Sequence, residues 1–289
     1  MKTSINNPFG NPKSLHGQRK QWHFAWLTDI HLEFLTPAEI GEFLRQLIEL
    51  KPDGLLVSGD IVPAAGLQRS LEHFSHHLNA PIYFVLGNHD FWGSDVSDVR
   101  SAMTVLTAEN PRIGWMPVLG VVELAPGVGL VGHDGWGDGR NGDFMRSDVF
   151  LNDYVKIESL SGLGRVALLE RLHALGDESA AHLRAVIPEA AARYDRVYVM
   201  THPPPYREAC FYKGKAAALD SPYLPHFTCK AVGDVLLEMA DTYRNTNFTV
   251  LCGHVHYGGE VLMRPNLHIH VGGAEYGHPR VEKMLTFPR

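Results

Sequence analysis

Apolar runs typical of buried strands alternate with helical periodicity through the first third of the chain. The runs cover residues 22–27, 54–58 and 81–86 and are rich in aromatic and β-branched residues. The first predicted helix has Thr36 as its cap, Pro37 at its first position and Glu39 to complete a capping box. Its apolar face has helical spacing and consists of Ile40, Phe43, Leu44, Leu47 and Ile48. This alternation predicts βα units and a sheet covered by helices.

The alternation of strand and helix patterns ends after Pro111. Residues 118–124 and 128–131 predict a hairpin with a Pro-Gly turn, and residues 163–175 and 179–193 predict two helices separated by Gly176 and Asp177. Ser94 is predicted to cap an earlier helix, and further strands are expected at 197–200 and 248–251. We expect one domain over residues 21–289, with an inserted region at about 133–193, after a flexible tail at residues 1–20.

Composition narrows the class of protein. The chain has 289 residues, 45% of them hydrophobic, which is enough for a substantial core. A net charge of -6 disfavours nucleic acid as a partner, because general phosphate-backbone binders cluster Lys and Arg. No stretch approaches the ~18 apolar residues of a membrane span, and three irregularly spaced cysteines fit a reducing compartment. We therefore expect a cytoplasmic protein that does not bind membranes.

Polar side chains with metal-binding chemistry follow five of the predicted strands. Asp29 and His31 lie two apart, so that on an extended chain they would point the same way, and the same holds for His254 and His256. The other groups at strand ends are Asp60, Asn88 with His89, and His202. Ligand sites in sheets covered by helices form outside the carboxyl ends of the strands. Two Asp, one Asn and four His are too many for one tetrahedral zinc, and they suit two metal ions that share a carboxylate.

Two further groups of histidines receive a different interpretation. His73, His76 and His77 have a helical spacing that could imitate a metal site, but no carboxylate completes the ligand set, so we interpret them as a solvated face. His268 and His270 lie inside a late strand, where alternation alone would put them on one side. We expect a structural role for this second pair.

The complete set of motifs resembles the signature of the calcineurin-like metallophosphoesterases. Its blocks occur in the order of that family, from residue 29 to residue 256, as Asp29-x-His31, Gly59-Asp60, Gly87-Asn88-His89-Asp90, His202 and Gly253-His254-x-His256. The resemblance implies an α/β (α+β) fold, a four-layer αββα sandwich of two mixed β-sheets flanked by helices.

The resemblance also implies the roles of the site residues. It assigns Asp29, His31 and His256 to one metal ion, Asn88, His202 and His254 to the other, and Asp60 to the bridge between them. Mixed imidazole and oxygen ligands suit transition metals, so we expect Mn or Fe, with Zn or Ni as alternatives. A hydroxide shared by the two ions would attack phosphorus in line with the leaving oxygen. His89 would protonate or stabilise that oxygen, and Asp90 would fix the tautomer of His89.

The substrate is less tightly constrained. Residues 61–66 lack the acidic-Arg-Gly segment that protein Ser/Thr phosphatases have after Gly-Asp, and purple acid phosphatases lack a counterpart of His31. The chain looks most similar to small bacterial phosphodiesterases, which makes a small phosphodiester or nucleotide the expected substrate. A phosphomonoesterase or a nuclease of the same family stays open, as does a non-catalytic metal-binding module. As substrate-binding residues we select Arg140, Tyr206 and Arg207, together with Tyr212 and Lys213.

Overall fold

The computed structural model describes residues 21–289, so the tail expected at residues 1–20 lies outside the described part. The strands of the described part are β1 (Gln21–Leu27), β2 (Gly54–Ser58), β3 (Ile82–Val85), β4 (Ile113–Trp115), β5 (Val122–Ala125), β6 (Val128–Gly132), β7 (Arg196–Met200), β8 (Phe211–Tyr212), β9 (Lys215–Ala216), β10 (Asn247–Cys252), β11 (Gly259–Arg264), β12 (Leu267–Val271) and β13 (Lys283–Pro288). The α-helices are α1 (Pro37–Leu50), α2 (Ala64–His77), α3 (Val96–Glu109), α4 (Met116–Leu119), α5 (Asp153–Lys156), α6 (Arg165–Ala191), α7 (Leu224–Phe227) and α8 (Lys230–Thr242).

Two large sheets form the centre of the molecule. The first has the strand order β13-β1-β2-β3-β4 and the second β11-β12-β10-β7-β6-β5, while β8 and β9 form a separate hairpin. Strands β1 to β4 run parallel, as do β6, β7, β10 and β12, and the edge strands β13, β11 and β5 are antiparallel to their neighbours. Both sheets are therefore mixed, with parallel strands at their centres.

Three layers of apolar side chains hold the sheets and helices together. The layer between the two sheets includes Trp26 and Leu56 from the first sheet and Leu130 and Leu251 from the second. A second layer lies between the first sheet and helices α1 to α3, and a third lies between the second sheet and helices α6 and α8. The predicted four-layer αββα sandwich is confirmed, because each sheet buries one face on the other sheet and one face on helices.

The helix starts predicted near α1 and α3 lie within one or two residues of those observed. Thr36 caps α1 through a complete capping box with Glu39, as predicted. The predicted cap at Ser94 is wrong, because the Asp95 carboxylate accepts the N–H of Ser97 and α3 begins at Val96. The hairpin prediction is right for β6, but its first strand begins only at Val122, since helix α4 occupies residues 116–119.

The prediction of two helices at 163–193 is wrong, because α6 is continuous from Arg165 to Ala191. Gly176 lies inside this helix, and a Cβ there would come within 2.6 Å of the Asp138 Cβ. The glycine therefore allows a close approach between α6 and the preceding loop and does not end the helix. Apolar residues of α6 such as Leu183 and Ile187 pack on the second sheet, so this part of the region 133–193 belongs to the outer helical layer. None of the helices in residues 21–289 is both long and apolar enough to cross a membrane.

Candidate active site

Asp60 lies at the centre of a group of polar side chains that come from both sheets. It follows β2, and its Oδ2 lies 3.3 Å from Nε2 of His202 and 3.7 Å from Nε2 of His31. Its other oxygen, Oδ1, accepts the backbone N–H of His89 at 2.8 Å. One carboxylate oxygen thus faces two sets of imidazoles while the other is fixed by the backbone, which is the geometry that a bridging ligand needs.

The first set of side chains is Asp29, His31 and His256. The Nε2 atoms of His31 and His256 are 3.1 Å apart, and His256 Nε2 lies 3.3 Å from Asp29 Oδ1. The Asp29 carboxylate is also held by the backbone N–H of His254 at 3.0 Å. Two ring nitrogens and two carboxylates, those of Asp29 and Asp60, therefore converge on one point.

The second set is Asn88, His202 and His254. Asn88 Oδ1 lies 3.1 Å from His202 Nε2, and the rings of His202 and His254 have centroids 5.0 Å apart. Asp60, His202 and His254 form a second buried group of convergent ligand atoms, and the half-buried Asn88 adjoins it through its contact with His202. The structure thus brings together all seven predicted ligands in two groups that share Asp60, as the resemblance implied.

Hydrogen bonds orient the imidazoles so that a bare nitrogen points at each group. His202 Nδ1 lies 2.9 Å from the carbonyl of Ser58, and His31 Nδ1 lies 3.3 Å from Glu33 Oε1. These acceptors favour a proton on Nδ1, which leaves Nε2 free to bind a cation. His254 uses its other nitrogen, since its Nε2 lies 3.3 Å from the carbonyl of His226. The donor set fits two transition-metal ions, because imidazoles in these tautomers and carboxylates are the ligands that such ions prefer.

The backbone at these positions is strained. Five of the ligands have positive φ angles, with Asp29 at 50°, His31 at 41°, Asp60 at 53°, His254 at 71° and His256 at 58°. The expectation that Asp29 and His31 point together because the chain is extended is therefore wrong in its cause, since left-handed residues direct them. Each such residue costs on the order of 1–3 kcal/mol, and strain of this kind collects at functional sites.

Gly87 lies where the motif after β3 comes closest to Asp60, and its φ angle is not among the positive ones. A Cβ at this position would lie 2.1 Å from Asp60 Oδ1 and 2.4 Å from the Asp60 nitrogen. Glycine is needed here because the motif after β3 passes directly against the bridging carboxylate.

The electrostatic environment of the site favours bound cations. Burial raises the pKa of Asp60, but the imidazoles of His202 and His89 outweigh it and hold that pKa well below its usual range. Burial lowers the pKa of His202, but Asp60 and Asp29 outweigh it and raise that pKa to about 10. Burial and the neighbouring His202 lower the pKa of His254 to about 3, so this imidazole is neutral and ready to act as a ligand.

Asp90 is not the partner of the His89 imidazole, which corrects the role that we assigned to it. Its Oδ1 accepts the N–H groups of Ile61 and Val62, and its Oδ2 accepts the N–H of Gly87. Burial and the Asp60 charge raise the pKa of Asp90 to about 7, against the effect of these three hydrogen bonds. Asp90 therefore ties the turn after β3 to the turn after β2.

Two carboxylates that the sequence analysis missed contact the site. Glu33 Oε1 lies 3.2 Å from His89 Nδ1, and burial raises the pKa of Glu33, but hydrogen bonds from His31 and His89 bring it down to about 2. Asp153, on α5, accepts the Asn88 amide at 2.9 Å. That bond directs Asn88 Oδ1 toward the second ligand group. Neither residue belongs to a strand-end pattern, and the only available signal for Glu33 was its position two residues after His31.

An open cavity of about 630 Å³ adjoins Asp60, Asn88 and His89. Aromatic side chains from four separate segments contribute to its walls: Trp92, Phe227, Tyr257 and Tyr276. Trp92 stacks on the His89 ring with a centroid distance of 3.5 Å. The family signature gave no indication of these walls, because the aromatic residues lie outside its motifs.

The residues that we selected for substrate binding lie elsewhere. Arg140 forms ion pairs with Asp138 and Asp177 at 3.1 and 2.8 Å. The Tyr206 hydroxyl donates to the carbonyl of Gly233, and Arg207 pairs with Glu208. Tyr206 and Arg207 line a separate cavity of about 210 Å³, and none of the three residues lines the cavity beside Asp60.

Of the two additional selections, Tyr212 is in contact with an aromatic residue of the cavity wall. Its ring centroid is 5.0 Å from that of Tyr257, and the Lys213 ammonium lies over the Tyr212 ring. The late pair of histidines faces Glu260, whose Oε1 is 2.7 Å from His270 Nδ1 and 3.2 Å from the Lys283 ammonium. A resident cationic side chain thus already balances the charge of that cluster.

A family model described as calcineurin-like phosphoesterase matches residues 23–258, which is most of the chain. The chain belongs to the calcineurin-like phosphoesterase family. It is therefore a metal-dependent phosphoester hydrolase, and the expected alternative of a non-catalytic module is set aside. No curated protein matches the sequence significantly.

Solved structures share the fold of this calcineurin-like phosphoesterase. Phosphopantetheinyl hydrolase from Mycobacterium tuberculosis has a TM-score of 0.61 at 16% identity, and the match covers 89% of this chain and 90% of that one. A dimetal phosphatase from Danio rerio has a TM-score of 0.56 at 13% identity, with 92% and 91% covered. At these identities the likeness concerns the fold, and the site residues carry the chemistry.

Proposed function

We propose that the protein is a phosphodiesterase that acts on a small molecule or nucleotide. The supporting observation is the composition of the cavity beside Asp60 and His89. Among the described residues that line it there is no Lys or Arg, while Phe227, Tyr257 and Tyr276 provide apolar and stacking surface. Trp92 is already in contact with the His89 ring and with the Lys156 ammonium. A phosphomonoester approaches two negative charges near neutral pH, and proteins commonly meet such a group with Arg or Lys. A diester carries one charge and a second organic group, which aromatic walls suit better.

The chemistry follows from the positions of the side chains. Bound metal ions would polarise the phosphoryl oxygens and lower the pKa of a bound water. His89 lines the cavity, so it is placed to donate a proton to the leaving oxygen while water attacks phosphorus from the opposite side. Asp60, Asp29 and Asn88 would supply the oxygen ligands, and we propose Mn or Fe as the metals because four imidazoles would complete the set.

Two other reaction classes are weaker candidates. A phosphomonoesterase would lack a cationic side chain for the extra charge in the described cavity. A nuclease would have to bind a polyanion at a cavity rim that includes Asp153 and Glu275, in a protein with a net charge of -6. A small phosphoester is therefore the proposed partner. A cytoplasmic location is proposed as well, on the support of three buried cysteines that form no disulfide.

The test compares turnover of bis(4-nitrophenyl) phosphate, 4-nitrophenyl phosphate and cyclic nucleotides in saturating Mn²⁺. We expect diesters to have the higher kcat/KM, and Asp60→Asn to abolish turnover because the bridging charge is lost. Asp220→Asn makes the same change of charge at an exposed loop position and should leave turnover unchanged. A strong preference for the monoester would overturn the diesterase proposal.

A further inference from the structure

Glu33 contacts both the candidate metal ligand His31 and the proposed proton donor His89. It lies on the 3-10 helix Leu32–Phe34, directly after His31. Its Oε1 is 3.2 Å from Nδ1 of His89 and 3.3 Å from Nδ1 of His31. The side chain is only 19% exposed, although it carries a charge, and its Oε2 is buried without a hydrogen-bond partner. A carboxylate is costly to bury in this way unless the imidazoles compensate it.

The other carboxylates near His89 are already engaged. Asp90 accepts three backbone N–H groups, and Asp60 Oδ1 accepts the backbone N–H of His89, not its ring. Within residues 21–289, Glu33 is the carboxylate that lies within hydrogen-bond distance of the His89 imidazole. It therefore occupies the place that the sequence analysis gave to Asp90.

The remaining contacts of His89 fix the plane of its ring. Trp92 stacks on it at 27° with a centroid distance of 3.5 Å, and the Trp92 Nε1–H donates to Asp153 at 2.7 Å. With Nδ1 held by Glu33 and one face covered by Trp92, the atom left for other partners is Nε2. His89 also lines the large cavity, so that nitrogen is the one available to a substrate.

We infer that Glu33 is the positioning residue for His89: its hydrogen bond to Nδ1 holds the imidazole in the orientation in which Nε2 faces the leaving oxygen and donates a proton to it. This inference rests on the proposed function. In the step, a water oxygen forms the new bond to phosphorus and the bond from phosphorus to the leaving oxygen breaks. The leaving oxygen takes the proton from Nε2, and the proton released by the attacking water restores His89. No oxidant or other reactant is required.

A merely structural role, in which Glu33 only holds His31, predicts different kinetics. Loss of a proton donor slows esters with basic leaving groups most, since a stable anion such as 4-nitrophenolate can leave without a proton. Loss of the His31 contact would weaken metal binding and slow every ester equally. The dependence on the leaving group therefore separates the two roles.

The experiment measures kcat and KM of Glu33→Gln in saturating Mn²⁺ on diphenyl phosphate and bis(4-nitrophenyl) phosphate. Gln keeps the shape of the side chain but removes the charge. We expect kcat to fall about 10²-fold on diphenyl phosphate and less than about 10-fold on the nitrophenyl ester, with KM nearly unchanged. Glu49→Gln, an exposed change on α1, is the matched control and should behave as the wild type. Equal losses on both esters, or no loss, would overturn the inference.

A second measurement does not depend on turnover. In the Zn²⁺-loaded protein, ¹⁵N spectra of the imidazoles report which nitrogen of His89 carries a proton, and His89→Asn identifies the signal. We expect a protonated Nδ1 in the wild type and its loss or shift in Glu33→Ala. An unchanged signal would overturn the inference. If the wild type hydrolyses neither ester, the diesterase proposal fails, and the spectra still decide the contact of Glu33 with His89.

Discussion

Replacing Gly87 with Ala tests whether the site requires the close contact between the turn after β2, which carries Asp60, and the turn after β3. The new Cβ would lie 2.1 Å from Asp60 Oδ1 and 2.4 Å from the Asp60 nitrogen, whereas ordinary contacts begin at 3.4 Å. Neither group can move without losing a hydrogen bond, because Asp60 Oδ1 accepts the N–H of His89 and Asp90 accepts the N–H of Gly87. The bridging carboxylate or the Asn88 turn must therefore move by about 1 Å, and a misplacement of that size costs on the order of 10²-fold in rate.

The same overlap should lower stability and metal binding. Overpacking of this kind costs about 1–3 kcal/mol in the free energy of unfolding. We expect Gly87→Ala to lose bound Mn on gel filtration, measured as metal per chain by mass spectrometry, and to melt earlier than the wild type. Gly41→Ala is the matched control, because nothing lies within 4 Å of its Cβ, and in helix α1 it should stabilise by about 0.5–1 kcal/mol. A Gly87→Ala protein with full metal content and wild-type kcat/KM would refute the close-contact explanation.

Three further predictions address the surroundings of the site. His89→Asn should keep the metals yet lose about 10²- to 10⁴-fold in kcat, and unchanged turnover at full metal content would remove its role as a proton donor. Asp153→Ala should weaken metal binding by ~10- to 100-fold in a chelator competition, because the Asn88 amide loses its acceptor. Burial lowers the pKa of His226 from 6.5 to about 4, with a smaller effect of Arg165. The pKa of His226 is lower in the folded state than in the unfolded state. Its contribution to the free energy of unfolding is therefore complete above pH 6.5 and is lost as the pH falls toward 4, by roughly 3 kcal/mol at most. In a chelator, unfolding of wild type and His226→Gln should therefore differ in slope between pH 4 and 6.5, and parallel curves would contradict this.

The sequence identified the candidate metal-binding residues because their signal is local. Each group of candidate ligands follows an apolar run typical of a buried strand, and the carboxyl ends of parallel strands meet at one edge. Asp29, Asp60 and His202 were therefore predictable to the residue. The capping box at Thr36 was equally clear, since its two hydrogen bonds lie within four residues.

Other features depend on contacts between distant segments. The sequence predicts a break between two helices at Gly176, yet this residue lies inside α6. A glycine is found there because Asp138 passes close to that face of the helix. Asp153 begins the short helix α5, and nothing in its local sequence pattern indicates that it fixes the Asn88 amide. Such roles depend on which surfaces the fold brings into contact, and residue spacing does not contain that information.

The sequence alone indicated the family, the seven candidate ligands at strand ends and, beside them, His89. Only the tertiary structure decided which carboxylate serves that histidine. Asp90 is adjacent in sequence, but the backbone turn directs it to three N–H groups, while Glu33 reaches the ring from a separate turn. The physical reason is that a ligand type can be recognised residue by residue, whereas the partner of a buried imidazole is chosen by the three-dimensional packing around it.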